Sequence, residues 1–388
     1  MTSLLPSVTL DRSIGSGLAA FPLQVRAGPA SWDGLTDAAH RLDAGGFLLV
    51  TDTGVPTPHV DRVLHHLRRA APTRLLRTAP TDGNGTLPKD AVVVGLGGTG
   101  VVDAAARLAA RGTRRPLLLP TTLPAMSDTA LSLAGPAGPR PVPALVRAQL
   151  EFLGTLAPGA VRPGLYALVR HVLSVCPASY DQVCARLRPD GRYDAPALAS
   201  FLALCADART ALTCYDPLEE GPAGAFRYGH AVADALRVLG VGALRYGDAV
   251  ALGMLAAARC ARSLGLLDAA GERAHHALLA RWGAPAVLPA PVTPPDVLRV
   301  LRRDGGPGTV GMVLLDGLGR PHLTAGSTVT EVAHPTLSAA LAPSRPPSPG
   351  RDRDRDPAGT GGSCARGGGT PSVVKDVTFR PRPGSRLP

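Results

Sequence analysis

Residues 92–103 read Val-Val-Val-Gly-Leu-Gly-Gly-Thr-Gly-Val-Val-Asp, and this run limits the possible folds more than any other part of the chain. An apolar stretch passes through a glycine-rich turn straight into a helical pattern. Glycines in such a turn tolerate positive φ and let backbone N–H groups approach a phosphate, and the helix N-terminus behind them favours negative charge. Around this run, short apolar stretches at 47–51 and 116–119 alternate with helix-like stretches at 59–71 and 101–111. Val60, Val63, Leu64 and Leu67 share one face of the first helix. Alternating strands and helices predict a parallel α/β sheet. The next strand runs into Pro120, Thr121 and Thr122, which puts two hydroxyls at a strand's carboxyl end, where ligands of open α/β sheets bind. A bland alternative stands beside this one: a turn can keep its glycines for its own geometry, with no ligand bound.

Beyond residue 142 the pattern becomes Ala- and Leu-rich and helical, over 142–156, 164–175, 197–212, 231–239, 248–266 and 269–282, and an apolar piece at 310–316 predicts a strand or hairpin. The expected fold class is an α/β N-terminal nucleotide-binding domain (1–141) followed by an all-α C-terminal domain (142–342). Residues 343–388, rich in Pro, Gly and Arg, lack the apolar surface to order themselves and predict a disordered tail. The net charge of +11 would ordinarily suggest an acidic partner. However, Lys89 and Lys375 are the only lysines among 41 basic residues, which points to a coding bias. The tail alone carries nine basic and four acidic residues, so no nucleic-acid partner is expected. The six cysteines form no CxxC pair, and residues 1–30 lack a charged start followed by an apolar core. No apolar run approaches the ~18 residues of a membrane span, so a cytoplasmic setting without membrane contact is expected.

Four segments carry a resemblance. Residues 95–103 are similar to the pattern ALGGGVxGD, residues 120–128 to PTTLLAQVD, residues 216–230 (DPLEEGPAGAFRYGH) to DExExGxRxxLNFGH, and residues 246–268 (YGDAVALGMLAAARCARSLGLLD) to HGEAVAxGMxxAxxxSxxLGLLD. In order and spacing these resemble the dehydroquinate synthase family of sugar phosphate cyclases over roughly 45–320, and more distantly the iron-containing alcohol dehydrogenases. The resemblance implies NAD and a zinc or other divalent metal ion at a cleft between the two domains. It also implies a sugar phosphate substrate that is oxidised, loses phosphate and closes into a carbocycle. Dimers are usual in the family, so a homodimer or a hetero-oligomer with a relative is expected. Carried over by position, Asp52, Gly97, Gly98, Thr99, Asp103, Thr121 and Thr122 are the expected NAD contacts. Asp128, Asp234, Arg170 and Arg209 are the expected catalytic set, with the two arginines standing where the family has lysines.

The chain also departs from that pattern. The family's three zinc ligands fall on Ala167, His230 and Tyr246, so only His230 is retained. The family arginine and asparagine of the third segment become Ala223 and Arg227, and its paired lysines become Gly305 and Gly306. A stretch that contacts the adenine side is missing around 78–87. His171 lies one helical turn beyond Ala167, so a relocated metal site from His171, His230 and Asp234 or Asp248 is one reading. The other is that these are ordinary caps and surface groups. The functional expectation is a divergent cyclase of specialised metabolism with a degraded metal site. The alternative is a non-catalytic relative serving as a partner subunit or small-molecule scaffold.

Overall fold

Two strands that the sequence conceals open the fold in the computed structural model: β1 (Val8–Ser16) and β2 (Ala19–Ala27) form an antiparallel hairpin. The structure describes residues 7–77, 90–157, 159–240, 242, 244–304 and 308–342. The expected tail at 343–388, the deletion around 78–87 and the Gly305-Gly306 pair lie outside the described residues. After the hairpin come α1 (Asp33–His40), β3 (Gly46–Thr51), α2 (Thr57–Ala70), β4 (Thr73–Arg77), β5 (Ala91–Gly97), α3 (Thr99–Ala109), β6 (Leu117–Pro120), α4 (Leu123–Ser127) and β7 (Leu145–Gln149).

The seven strands make one sheet in the order β1-β2-β7-β6-β5-β3-β4, parallel except for the hairpin. Every residue of β5 is buried, as a central parallel strand covered on both faces requires. From β3 the chain runs outward to β4, then crosses back to β5 on the other side. That reversal makes a topological switch point, and Asp52 and Gly97 stand at its carboxyl edge.

The helix expected over 142–156 is not there. Those residues form β7 and a 3-10 turn (Leu150–Thr155), and β7 pairs with both β2 and β6, so the sheet runs past the expected boundary at 141. Strand β7 reads Leu-Val-Arg-Ala-Gln and is buried on both faces, Arg147 and Gln149 included. Its alternation therefore does not sort into a core face and a solvent face, and five residues are too few to set it apart from the helix-like run that follows.

The helical part comprises α5 (Val161–Gly164), α6 (Tyr166–Ser174), α7 (Tyr180–Arg186), α8 (Ala195–Thr213), α9 (His230–Val238), α10 (Tyr246–Ser263), α11 (Ala269–Trp282) and α12 (Pro294–Asp304). The last elements are β8 (Thr309–Val313), β9 (Leu315–Gly317), β10 (Arg320–Pro321), β11 (Val329–Ala333) and α13 (His334–Leu341). Helix α8 is long and apolar enough to cross a membrane by length and composition. Here it is a core helix, capped by Asp194 and laid against the hairpin through Thr213 Oγ1 donating to the Gly15 carbonyl at 2.6 Å.

Candidate active-site cleft

The carboxyl edge of the sheet faces a cleft of about 1130 Å³, walled on the other side by α9, the start of α10 and the 3-10 turn at Pro222–Arg227. Gly98, Thr99, Asp103 and Thr122 line it on the sheet side, and Asp128, Arg209, His230, Asp234 and Tyr246 on the other. Gly97, Thr121 and Asp52 do not line it. Asp52 Oδ1 accepts the Gly54 N–H at 2.9 Å in a local turn, and the Thr121 N–H bonds the Gly97 carbonyl at 2.9 Å, closing the end of the sheet.

The glycines of the turn do a different job from the expected one. None of Gly95, Gly97, Gly98 and Gly100 has a positive φ, and Gly98 sits at −76°. A Cβ on Gly95 would meet the Ala105 Cβ at 2.7 Å, and one on Gly97 would meet Val101 Cγ2 at 2.5 Å. These two positions let α3 lie directly on β5. Gly98 has ordinary clearance, with Thr122 at 3.6 Å. Asp103 is engaged by Arg140, whose Nε and Nη2 reach Oδ1 at 2.9 and 2.6 Å, and Arg140 Nη1 pins the carbonyls of Ser132 and Ala134.

Asp128 is the hub of the opposite wall. Arg170 Nη2 donates to its Oδ1 at 2.9 Å, Arg209 Nη2 donates to the same oxygen, and the Tyr166 hydroxyl donates to Oδ2 at 2.9 Å. Arg209 Nη1 extends the network to Glu219 Oε1 at 2.6 Å, and Ser132 Oγ reaches that oxygen too. Arg209 also lies over the Phe226 ring at 4.4 Å. Burial alone would raise the Asp128 carboxyl, but Arg170 and Arg209 beside it hold it well below the usual carboxylate range. Two buried cations face two buried anions, the arrangement that makes burial of charge tolerable. Glu219 adopts φ 59°, a left-handed conformation that costs about 1 kcal/mol for a residue with a Cβ.

His230 opens α9 and lines the cleft. Its Nε2 is 2.8 Å from Arg170 Nη1, and burial reinforced by that guanidinium pushes its pKa down to about 3. Asp234, one turn on, is half exposed; it accepts from the Tyr246 hydroxyl at 3.1 Å and pairs with Arg237. His171 is fully buried against Phe226, and among the described residues its Nδ1 has no partner. Asp248 is held by Arg162 through both oxygens, at 2.7 and 2.9 Å.

The relocated metal site is therefore not assembled. Among the described residues no three His, Cys, Asp or Glu side chains converge. The Arg170 guanidinium lies within reach of both histidines, Asp248 is committed to Arg162, and Asp234 to Tyr246 and Arg237. The residues present do not fit a divalent ion. Of the expected catalytic residues, Asp128, Arg170 and Arg209 come together, and Asp234 stands apart on α9. Tyr166 and Glu219 were missed. Tyr166 lies four residues before Arg170 on the same helical face, and Glu219 matches an acidic position of the third resembling segment, so both signals were present.

An α/β layer, a helical layer and a polar cleft between them define a dehydroquinate synthase-like fold. Residues 169–305 match the 3-dehydroquinate synthase C-terminal family. The chain is 31% identical over 340 residues to a 2-deoxy-scyllo-inosose synthase of Streptoalloteichus tenebrarius, covering 79% of this chain and 88% of that one. It is also 31% identical over 369 residues to the enzyme of the same name from Streptomyces kanamyceticus, covering 86% and 94%. A crystal structure of 2-deoxy-scyllo-inosose synthase complexed with carbaglucose-6-phosphate, NAD+ and Co2+ superposes with a TM-score of 0.77 at 22% identity, covering 86% of this chain and 99% of that one. A 2-epi-5-epi-valiolone synthase from Streptomyces hygroscopicus, with NAD+ and Zn2+ bound, gives 0.61 at 19% identity, covering 85% and 98%. The chain belongs to the dehydroquinate synthase-like sugar phosphate cyclases.

Proposed function

We propose that this chain is a carbocycle-forming cyclase of specialised metabolism that takes a hexose phosphate into the cleft beside NAD. The observation that carries this is the pairing, in one cleft, of the α3 N-terminus with an arginine-held Asp128, in a chain 31% identical to 2-deoxy-scyllo-inosose synthases over nearly their full length. Those relatives are named as synthases, which favours the enzyme reading over a scaffold. NAD would supply the hydride acceptor and donor for oxidising and re-reducing one carbon of the sugar. The first-turn N–H groups of α3 are suited to its pyrophosphate, with Gly98, Thr99 and Thr122 as the wall against which it lies.

On the opposite wall, Asp128 has three of its roughly four accepting sites filled by Arg170, Arg209 and Tyr166, which leaves one for a sugar hydroxyl. Arg227, Arg237 and Arg245 add cationic character to the cleft for the phosphate ester. The donor set does not fit the divalent metal of the structural relatives, and no step is assigned to one.

The test is incubation with NAD and glucose 6-phosphate, of which the sugar in the structural relative is the carba analogue, followed by assay of phosphate release and mass spectrometry of the organic product. Phosphate release with a cyclic ketone as product supports the reading. Failure to bind NAD, together with no phosphate release from a panel of hexose phosphates, overturns it.

A further inference from the structure

The residue that stands where the family has a lysine makes the contact that decides how this cleft works. Arg170 Nη1 lies 2.8 Å from Nε2 of His230, the one family ligand position that the sequence retains. A guanidinium has only donors, so Nε2 must accept and its lone pair is used. A neutral imidazole that accepts at Nε2 carries its proton at Nδ1. That nitrogen makes no hydrogen bond within the described residues, and the ring lines the cleft.

Arg170 cannot easily leave. Its side chain is completely buried, Nη2 is bonded to Asp128, and the guanidinium carbon stands 5.6 Å from the Tyr166 ring centre and 6.0 Å from that of Phe226. A metal ion binds imidazole nitrogen at about 2.0–2.1 Å along the lone pair that Arg170 already occupies. The flanking positions give no help, because Ala167 has no donor and the Tyr246 hydroxyl is turned to Asp234. A dication here would also meet the fixed charge of Arg170, whereas the present network already balances two arginines against Asp128 and Glu219.

We propose that Arg170 takes the place of the family's metal ion at His230, fixing this histidine as the neutral Nδ1–H form that donates to an oxygen of the bound sugar phosphate. An inherited metal ligand thereby becomes a hydrogen-bond donor, and Arg170, which does not itself line the cleft, is a positioning residue. The identity of the accepting oxygen rests on the cyclase reading given above; the tautomer and the exclusion of metal do not.

Two measurements on the intact, metal-stripped protein test this without turnover. Long-range ¹H–¹⁵N correlation of the histidine side chains, with His230 assigned by its loss in His230→Asn, is expected to place its proton on Nδ1. Calorimetric titration with zinc chloride and with cobalt chloride, NAD present, is expected to give no stoichiometric binding. A proton on Nε2, or one ion bound per chain at sub-micromolar affinity, overturns the proposal. An engineered background sharpens the second arm. Ala167→Glu with Tyr246→His rebuilds the ligand set of the family pattern, yet zinc binding should stay weak while Arg170 remains. Adding Arg170→Lys should then tighten it by about 100-fold. Tight zinc binding in the double variant would also count against the proposal. The cyclase reading is judged separately, by phosphate release, so each can fail alone.

Discussion

The guanidinium of Arg209 and the carboxylate of Asp128, 81 positions apart in sequence, form a buried ion pair between helix α8 and the end of α4. The same guanidinium grips Glu219 at 2.6 Å. Removing one partner of such a pair leaves an uncompensated buried charge, at a cost of about 3–5 kcal/mol. Arg209→Met should therefore lose about 3 kcal/mol of stability in urea unfolding near neutral pH. Arg209→Lys, which keeps the charge but not the fork, should fall between it and the parent. A Met variant as stable as the parent would mean that the network contributes nothing to the fold.

Stability should fall on acidification through two overlapping windows, the upper set by buried histidines and the lower by Asp128. His275 is buried neutral, with Nδ1 donating to the Gly271 carbonyl at 2.7 Å and Nε2 accepting from Tyr228 at 2.9 Å. Burial pushes it down to about 4. Between its unfolded value of about 6.5 and that depressed value, only the unfolded chain takes up the proton. Stability is thus full above the window and declines as pH falls through it, by about 1.4 kcal/mol per unit for each such histidine. Asp128 acts lower. Its folded carboxyl lies below the unfolded value of about 3.9, so its contribution is present above that value and lost as pH falls towards the folded one. Urea melts across pH should show His275→Gln reducing the slope of the upper window, to which His230 also contributes, and Asp128→Asn reducing that of the lower. An unchanged slope in both variants would contradict the assignment.

How much of this was legible depended on whether a residue's role was local. The helix at 269–282 follows from periodicity, since its buried face repeats, and the strand and helix at 91–109 follow from an apolar run entering a glycine-rich turn. Strand β7 did not, because its Arg147 and Gln149 are buried against Gln24, Ser31 and Glu151, partners that no short-range pattern announces. The hairpin at 8–27 was opaque for a related reason: its pairing is set by the turn at 17–18 and by α8, some 200 residues later. At the site, the resemblance located Asp128, Arg170 and Arg209 individually. That Arg170 would reach both Asp128 and His230 is a tertiary fact, invisible to any spacing rule.

The two adjacent glycines of the turn should separate packing from binding. Gly97→Ala drives a methyl into Val101, contacting two of its carbons at 2.5 and 2.6 Å, and is expected to destabilise by about 2 kcal/mol. Gly98→Ala has room and an allowed backbone, so its melting temperature should match the parent. Its methyl would stand at the cleft wall beside Thr122, where close approach of a pyrophosphate is proposed. NAD affinity measured by fluorescence titration should drop about tenfold, which is ~1.4 kcal/mol. Unaltered NAD binding in Gly98→Ala would place the cofactor elsewhere.

The orientation of His230 depends on two helices touching through glycine. A Cβ on Gly253 of α10 would lie 1.9 Å from the carbonyl oxygen of Gly229, and Gly229 itself, at φ 86°, is the residue before His230. Backbone cannot yield as a flexible side chain does, so Gly253→Ala must push α10 away from the start of α9. The expected cost is about 2–3 kcal/mol. Gly154→Ala, which meets nothing within 4 Å, should stay within about 0.5 kcal/mol of the parent. Because the displaced segment carries His230, Gly253→Ala should also loosen the contact with Arg170. Hydrogen exchange should then rise at the first turn of α9 while β5 stays protected. If exchange rises equally in both, the substitution has weakened the whole fold, and the glycine crossing has no particular hold on His230.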